Sequence, residues 1–211
     1  MGVWEWLRKK AEKPTTHGAA GRETDLAEKQ RPAPALSESE EAKIGQCLEE
    51  IVRIIAPGDK EAWQAVRACA NDPEAFFAAH CITFDERGID DASDRDKIRW
   101  LGLVDILEER GHVCERDWKE EKVDFLYFVG QLSGIAQSGL SLDAAWLEEE
   151  GDIPAWCAVI DAHWKEARAG MACIDIDSDS YVLFPCQTAA REKLEHLAAK
   201  IGHRIAPARD M

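Results

Sequence analysis

Apolar positions along this chain fall first into helical and then into strand rhythm. Ile44, Cys47, Leu48, Ile51 and Ile55 recur on one face, which predicts a helix to about residue 56. Ser37 and Glu40 stand at capping-box spacing before it, and Pro57-Gly58 stops it. Asp59 opens a second helix with Trp63, Val66 and Ala70 inward. Asp72-Pro73 opens a third, a cap followed by proline in the first helical position, bearing Phe76, Phe77 and His80. The polar run DERGIDDASDRD reads as a connection. From Asp96 a helix runs through Trp100, Leu101, Val104, Ile106 and Leu107 to Gly111, its C-cap.

The rhythm changes at HVCERDW, a short strand with Val113 and Glu115 on one face and Cys114 and Arg116 on the other. Helices are predicted over 120–137, 141–150 and 153–169. The apolar runs MACIDI and SYVLFPC, separated by SDS, then read as a β-hairpin. Helical spacing returns over 188–201 through Leu194, Leu197 and Ile201. Gly202 ends it, and HRIA adds an edge strand. The fold class is therefore α+β: predominantly helical, with a small antiparallel sheet in the C-terminal half.

Residues 37–211 read as a single α+β domain. Residues 14–36 hold Pro14, Pro32 and Pro34 without a sustained apolar period, the composition of a flexible linker. Residues 1–13 read as a short amphipathic helix. Val3, Trp4 and Leu7 share one face, Trp6 flanks it, and Arg8, Lys9, Lys10 and Lys13 follow. A tail docked on its own domain, or simply disordered, is one reading of it, and weak contact with an anionic membrane surface another.

Charge narrows the range of partners. The 211 residues carry a formal charge of -15. Residues 1–36 balance to +2 and residues 37–211 to -17. Such a field repels phosphate backbones and attracts basic proteins, so nucleic acid is not the expected partner. The seven cysteines include no C-x-x-C pair, and most sit in apolar company. They read as reduced core thiols, which fits a reducing compartment. The opening residues do not form a secretory signal, and no long apolar span is present. The expected location is cytoplasmic, with the inner membrane surface as a second option.

Candidate chemistry centres on DIDSDSYVLF. Asp175, Asp177 and Asp179 alternate, and on an extended strand they would share one face. An EF-hand needs Gly and Glu where Ser180 and Cys186 stand, so that reading fails. A Mg²⁺ or Mn²⁺ site on the triplet remains as an enzyme alternative. A hairpin tip that displays carboxylates is the simpler reading, because Asp and Ser favour turns. Trp118, in DWK, reads first as a core anchor and second as an exposed contact residue. Trp146, before the acidic run LEEEGD, is a further candidate contact. The histidines are scattered, and no zinc, nucleotide-loop or nucleophile-elbow motif occurs. No cofactor is called for.

RDWKEEKVDFLYFVGQL, followed by ACIDIDSDSYVLFPC, resembles a bacterial family of unknown function with a D-W-K-E strand end and a D-x-D-S-D-S-Y hairpin. The resemblance spans roughly residues 95–206. That family is similar in size and acidity to immunity proteins that neutralise bacterial toxins. It implies Asp117, Trp118, Asp175, Asp177, Asp179 and Tyr181 as the shared positions. With Trp146 they form the expected partner-binding set, facing a basic protein, in the specific case a toxin.

Overall fold

The structure is a computed structural model, and it describes residues 37–211. The calls on residues 1–36, including Val3, Trp4 and Leu7, lie outside the described residues. Helices α1 (Glu38–Ile55), α2 (Lys60–Asn71), α3 (Pro73–Ala79), α4 (Cys81–Glu86) and α5 (Arg95–Glu109) lead into strand β1 (Cys114–Asp117). Helices α6 (Lys122–Gly130), α7 (Ser133–Ser138) and α8 (Ile153–His163) follow. Strands β2 (Ala169–Ile174) and β3 (Ser180–Gln187), helix α9 (Thr188–Ala199) and strand β4 (Ile205–Pro207) complete the order. The strands form one antiparallel sheet in the order β1-β3-β2-β4. The domain is thus α+β, as the rhythm of the sequence predicts.

The sheet is covered on both faces, and strand alternation divides it between two cores. Ala172, Ile174, Val182, Phe184 and Ile205 pack into a cluster with Leu48, Ile51, Val66, Phe84, Leu103, Leu107 and Leu194. Their neighbours Met171, Cys173 and Leu183 pack the other way, against Phe125, Val129, Ile153, Trp156 and Ile160. All six β2 residues are buried. This is why MACIDI shows no polar alternation: a strand covered on both faces reads as a continuous apolar run.

Local chemistry sets the element ends. Ser37 caps α1 in a complete capping box with Glu40. Asp59, Asp72, Asp94 and Asp152 each accept a backbone N–H at the start of a helix. Pro185 is tolerated inside β3 because of register. It stands opposite Met171, whose N–H turns away to donate to Asp161 Oδ1 at 2.7 Å. That ladder position needs no donor from residue 185.

Three predicted helices are shorter than their rhythm implies. The span 120–137 breaks into α6 and α7. Leu132 is extended and buried there, and the Ser133 N–H donates to the Gly111 carbonyl. The span 141–150 keeps one 3-10 turn, Ala144–Trp146. Carbonyls at Ser141, Leu147 and Glu148 accept instead from the side chains of Trp164, Lys122 and Trp156. The span 153–169 stops at His163, and Arg168 takes a left-handed φ of 52° just before β2. Among the described residues no helix is long and apolar enough to cross a membrane.

Candidate partner-binding site

The five residues joining β2 to β3 do not lie on an extended strand. Ile176 is buried in the first core, so the chain must fold over it. Asp177 takes a left-handed φ of 56°, a conformation that Asp tolerates better than most residues. Its N–H donates to Asp175 Oδ1 at 3.0 Å. The single face expected for the three carboxylates is therefore not formed, and the hairpin-tip reading is the one the backbone takes.

Asp175 is fixed from three sides. Its N–H donates to the Arg204 carbonyl at 3.0 Å, and its own carbonyl accepts the Trp100 indole N–H at 2.7 Å. Its carboxylate lies 3.5 Å from Arg204 Nη1. Trp100 is in turn stacked on His203, ring centroids 4.1 Å apart. The carboxylates of Asp177 and Asp179, by contrast, take no hydrogen bond or ion pair among the described residues. Among those residues, no group of three or more His, Cys, Asp or Glu side chains is placed to hold a metal. The turn therefore does not present the three carboxylates of the metal-enzyme alternative on one face, and Asp175 is already engaged by Arg204.

Strand register brings Trp118 to this turn. β1 pairs with β3 so that Asp117 stands opposite Ser180 and Arg116 opposite Tyr181. Trp118 leaves the end of β1 and is 49% exposed, which corrects the core-anchor reading. It lines an open depression of about 360 Å³ with Asp175, Ser178, Asp179, Ser180, Tyr181, Arg204 and Met211. Four of the seven residues expected from sequence thus meet in one place. Tyr181 is half-buried against the second core. Burial, and after it the charge of Asp152, pushes its phenol up.

The other three stand apart from the lining. Asp177 belongs to the turn but does not line the depression. Asp117 holds the strand end, its Oδ1 accepting the Lys119 N–H at 2.9 Å. Trp146 stacks on His163 with centroids 3.8 Å apart and packs on the second core. Sequence reasoning missed Arg204, Ser178, Ser180 and Met211. Arg204 has no local signal, since only the β2–β4 pairing brings it beside Asp175.

The lining is mixed rather than purely acidic. Lys119 Nζ lies 4.5 Å from the centre of the Trp118 ring, so one face of the indole already meets an ammonium. Beyond Trp118, Val123 and Tyr127 project from successive turns of α6, 65% and 62% exposed. They sit at i and i+4 and share one helix face.

One family model covers most of this domain. It is described as a domain of unknown function (DUF6630) and matches residues 47–208. The chain belongs to the DUF6630 family. The match begins within α1, so the early helices belong to the family unit too, well before residue 95 where the sequence resemblance was expected to start. No curated protein and no solved structure matches the chain.

Proposed function

We propose that this DUF6630 domain binds a cationic protein at the depression between Trp118 and the aspartate turn. The observation that carries the reading is convergence. A half-exposed Trp, a Tyr and two Asp, separated by some sixty residues of chain, line one open surface on a body of charge -17. Aromatic residues with a polar surround are the usual anatomy of an energetically important contact. Among the described residues the carboxylate of Asp179 has no partner, which leaves it available to a Lys or Arg. The chain's own Lys119 lies over the Trp118 ring, the kind of contact that a partner's cation could make with such an indole.

Negative charge over the whole domain would steer a basic partner toward this face and speed its arrival. Burial of Trp118 and Tyr181 would then slow its departure. The exposed Val123–Tyr127 strip on α6 extends the contact beyond the depression. In its specific form the partner is a secreted bacterial toxin and the domain its immunity protein. The size and acidity of the domain, which are similar to those of immunity proteins, support that form.

The test compares the native chain with Trp118→Ala and Asp179→Asn variants as baits in extracts of the native host. Capture runs at about 50 mM and about 500 mM salt, across which surface charge attraction is screened. The expected result is a basic protein retained at low salt by the native chain and lost from both variants. Capture that ignores Trp118 and Asp179, or no basic protein at low salt, overturns the reading. For the toxin form, the captured protein must arrest growth when expressed alone and cease to do so with the native chain.

A further inference from the structure

Away from the depression, three side chains from separate parts of the chain form a hydrogen-bonded relay. Asp59 caps α2, His112 follows Gly111 after α5, and Ser133 opens α7. Ser133 Oγ lies 2.8 Å from His112 Nδ1, and His112 Nε2 lies 2.9 Å from Asp59 Oδ2. We infer that Ser133 is a base-activated nucleophile that accepts acyl groups from activated esters, with His112 as its base and Asp59 orienting the ring.

The proton positions follow from the partners. Asp59 is held well below the usual carboxylate range, chiefly by the Arg110 guanidinium, with the Ala62 N–H and His112 adding to it against burial. An ionised carboxylate only accepts, so the neutral ring carries its proton on Nε2, toward Asp59. Nδ1 then presents a lone pair, and the Ser133 hydroxyl donates to it. The two nitrogens exchange the places they hold in familiar serine hydrolases, but the chemistry of the relay is the same. Either imidazole tautomer serves as a base when an anion faces its N–H.

The surroundings hold this arrangement. Arg110 grips Asp59 through two contacts of 2.6 and 2.8 Å and reaches Glu61 at 3.0 Å. Asp59 is thereby held in place against the ring. The Ser133 N–H donates to the Gly111 carbonyl at 2.9 Å, which ties the backbone of the nucleophile to the residue before its base. His112 is buried while Ser133 is only half-buried, so the base is shielded and the hydroxyl is partly open. A Cβ on Gly134 would stand 2.7 Å from Pro185 Cγ. The chain just after the nucleophile is thus packed closely against β3.

In the step itself, Ser133 Oγ bonds the ester carbonyl carbon and its proton passes to His112 Nδ1. The ester oxygen leaves and takes that proton. Water, deprotonated by the same nitrogen, then attacks the acyl-serine, releasing the acid and restoring the hydroxyl.

The test treats the full chain with a fluorophosphonate probe, followed by intact mass and peptide mapping. Ser133 Oγ would bond phosphorus and fluoride would leave. The expected result is one adduct per chain, on Ser133, absent from Ser133→Ala. Labelling should be slower by about 100-fold or more in His112→Gln, with folding checked by circular dichroism. If His112→Gln does not fold, Asp59→Asn supplies the comparison with the same expected direction. A folded native chain that gains no adduct on Ser133, under conditions that fully label a known serine hydrolase, overturns the inference. So does labelling indifferent to the loss of the base in a folded variant.

Discussion

At the scale of single residues, buried and half-buried acids and one glycine carry sharp expectations. Glu108, Asp105 and Glu115 gather around Arg87, which reaches Asp105 at 2.7 Å and Glu115 at 2.8 Å. Glu108 Oε1 accepts the Glu115 N–H at 2.9 Å. Burial pushes the Glu108 carboxyl up, against that N–H, while the Glu115 charge adds to the rise. A raised folded-state value means that the folded protein holds the proton more tightly than the unfolded chain. The associated stability is complete below the unfolded value and is lost as pH rises through the folded one. Glu108→Gln keeps the acceptor oxygen and removes the charge. It should raise the denaturation midpoint at pH 8 and flatten the fall in stability as pH rises above the ordinary glutamate value of about 4.3, measured by denaturant titration across pH. Gly170 makes the opposite case. A Cβ there would lie 2.6 Å from Asp161 Oδ1, the oxygen that holds the Met171 N–H. Gly170→Ala should cost about 1–3 kcal/mol in the same assay, the usual penalty for overfilling a packed site. A neutral result would mean that Asp161 moves aside freely.

At the scale of elements, the ends with local chemistry were the legible ones. Ser37 and Glu40 specify the start of α1 by spacing alone, and the structure forms both halves of the box. Ser37→Ala should therefore lower stability by about 0.5–2 kcal/mol, read from the thermal midpoint. The hairpin and the short strand HVCERDW were legible through apolar run length and alternation. Helix lengths over 120–169 were not, because their interruptions depend on distant donors. The indoles of Trp156 and Trp164 take the carbonyls of Glu148 and Ser141, and no rhythm within 141–150 announces that. The candidate site divides in the same way. DIDSDS named its own turn, and DWK named the aromatic beside it. Arg204 entered only through the pairing of β2 with β4. The Asp59–His112–Ser133 relay left no trace in the sequence, since its members are brought together by three separate loops and caps.

At the scale of the whole molecule, charge governs both stability and association. Residues 37–211 carry a balance of -17, while many of their arginines are already committed. Arg67 pairs with Glu49, Arg110 with Asp59 and Arg209 with Asp161, each within 2.8 Å. Repulsion among the remaining carboxylates opposes compaction. Screening should relieve it, because the Debye length falls from about 30 Å at 0.01 M salt to about 10 Å at 0.1 M. The thermal midpoint of the chain should then rise over that interval, although salt weakens each surface ion pair. The same screening should slow association with a basic partner, mainly through the rate of encounter. Opposite salt slopes for folding and binding, measured on one preparation by thermal melts and stopped-flow mixing, are thus a joint signature of a body that bears its excess charge for a partner. A thermal midpoint that falls with added salt would show that the ion pairs outweigh the repulsion. A binding rate insensitive to salt would show that the acidic field does not guide the encounter.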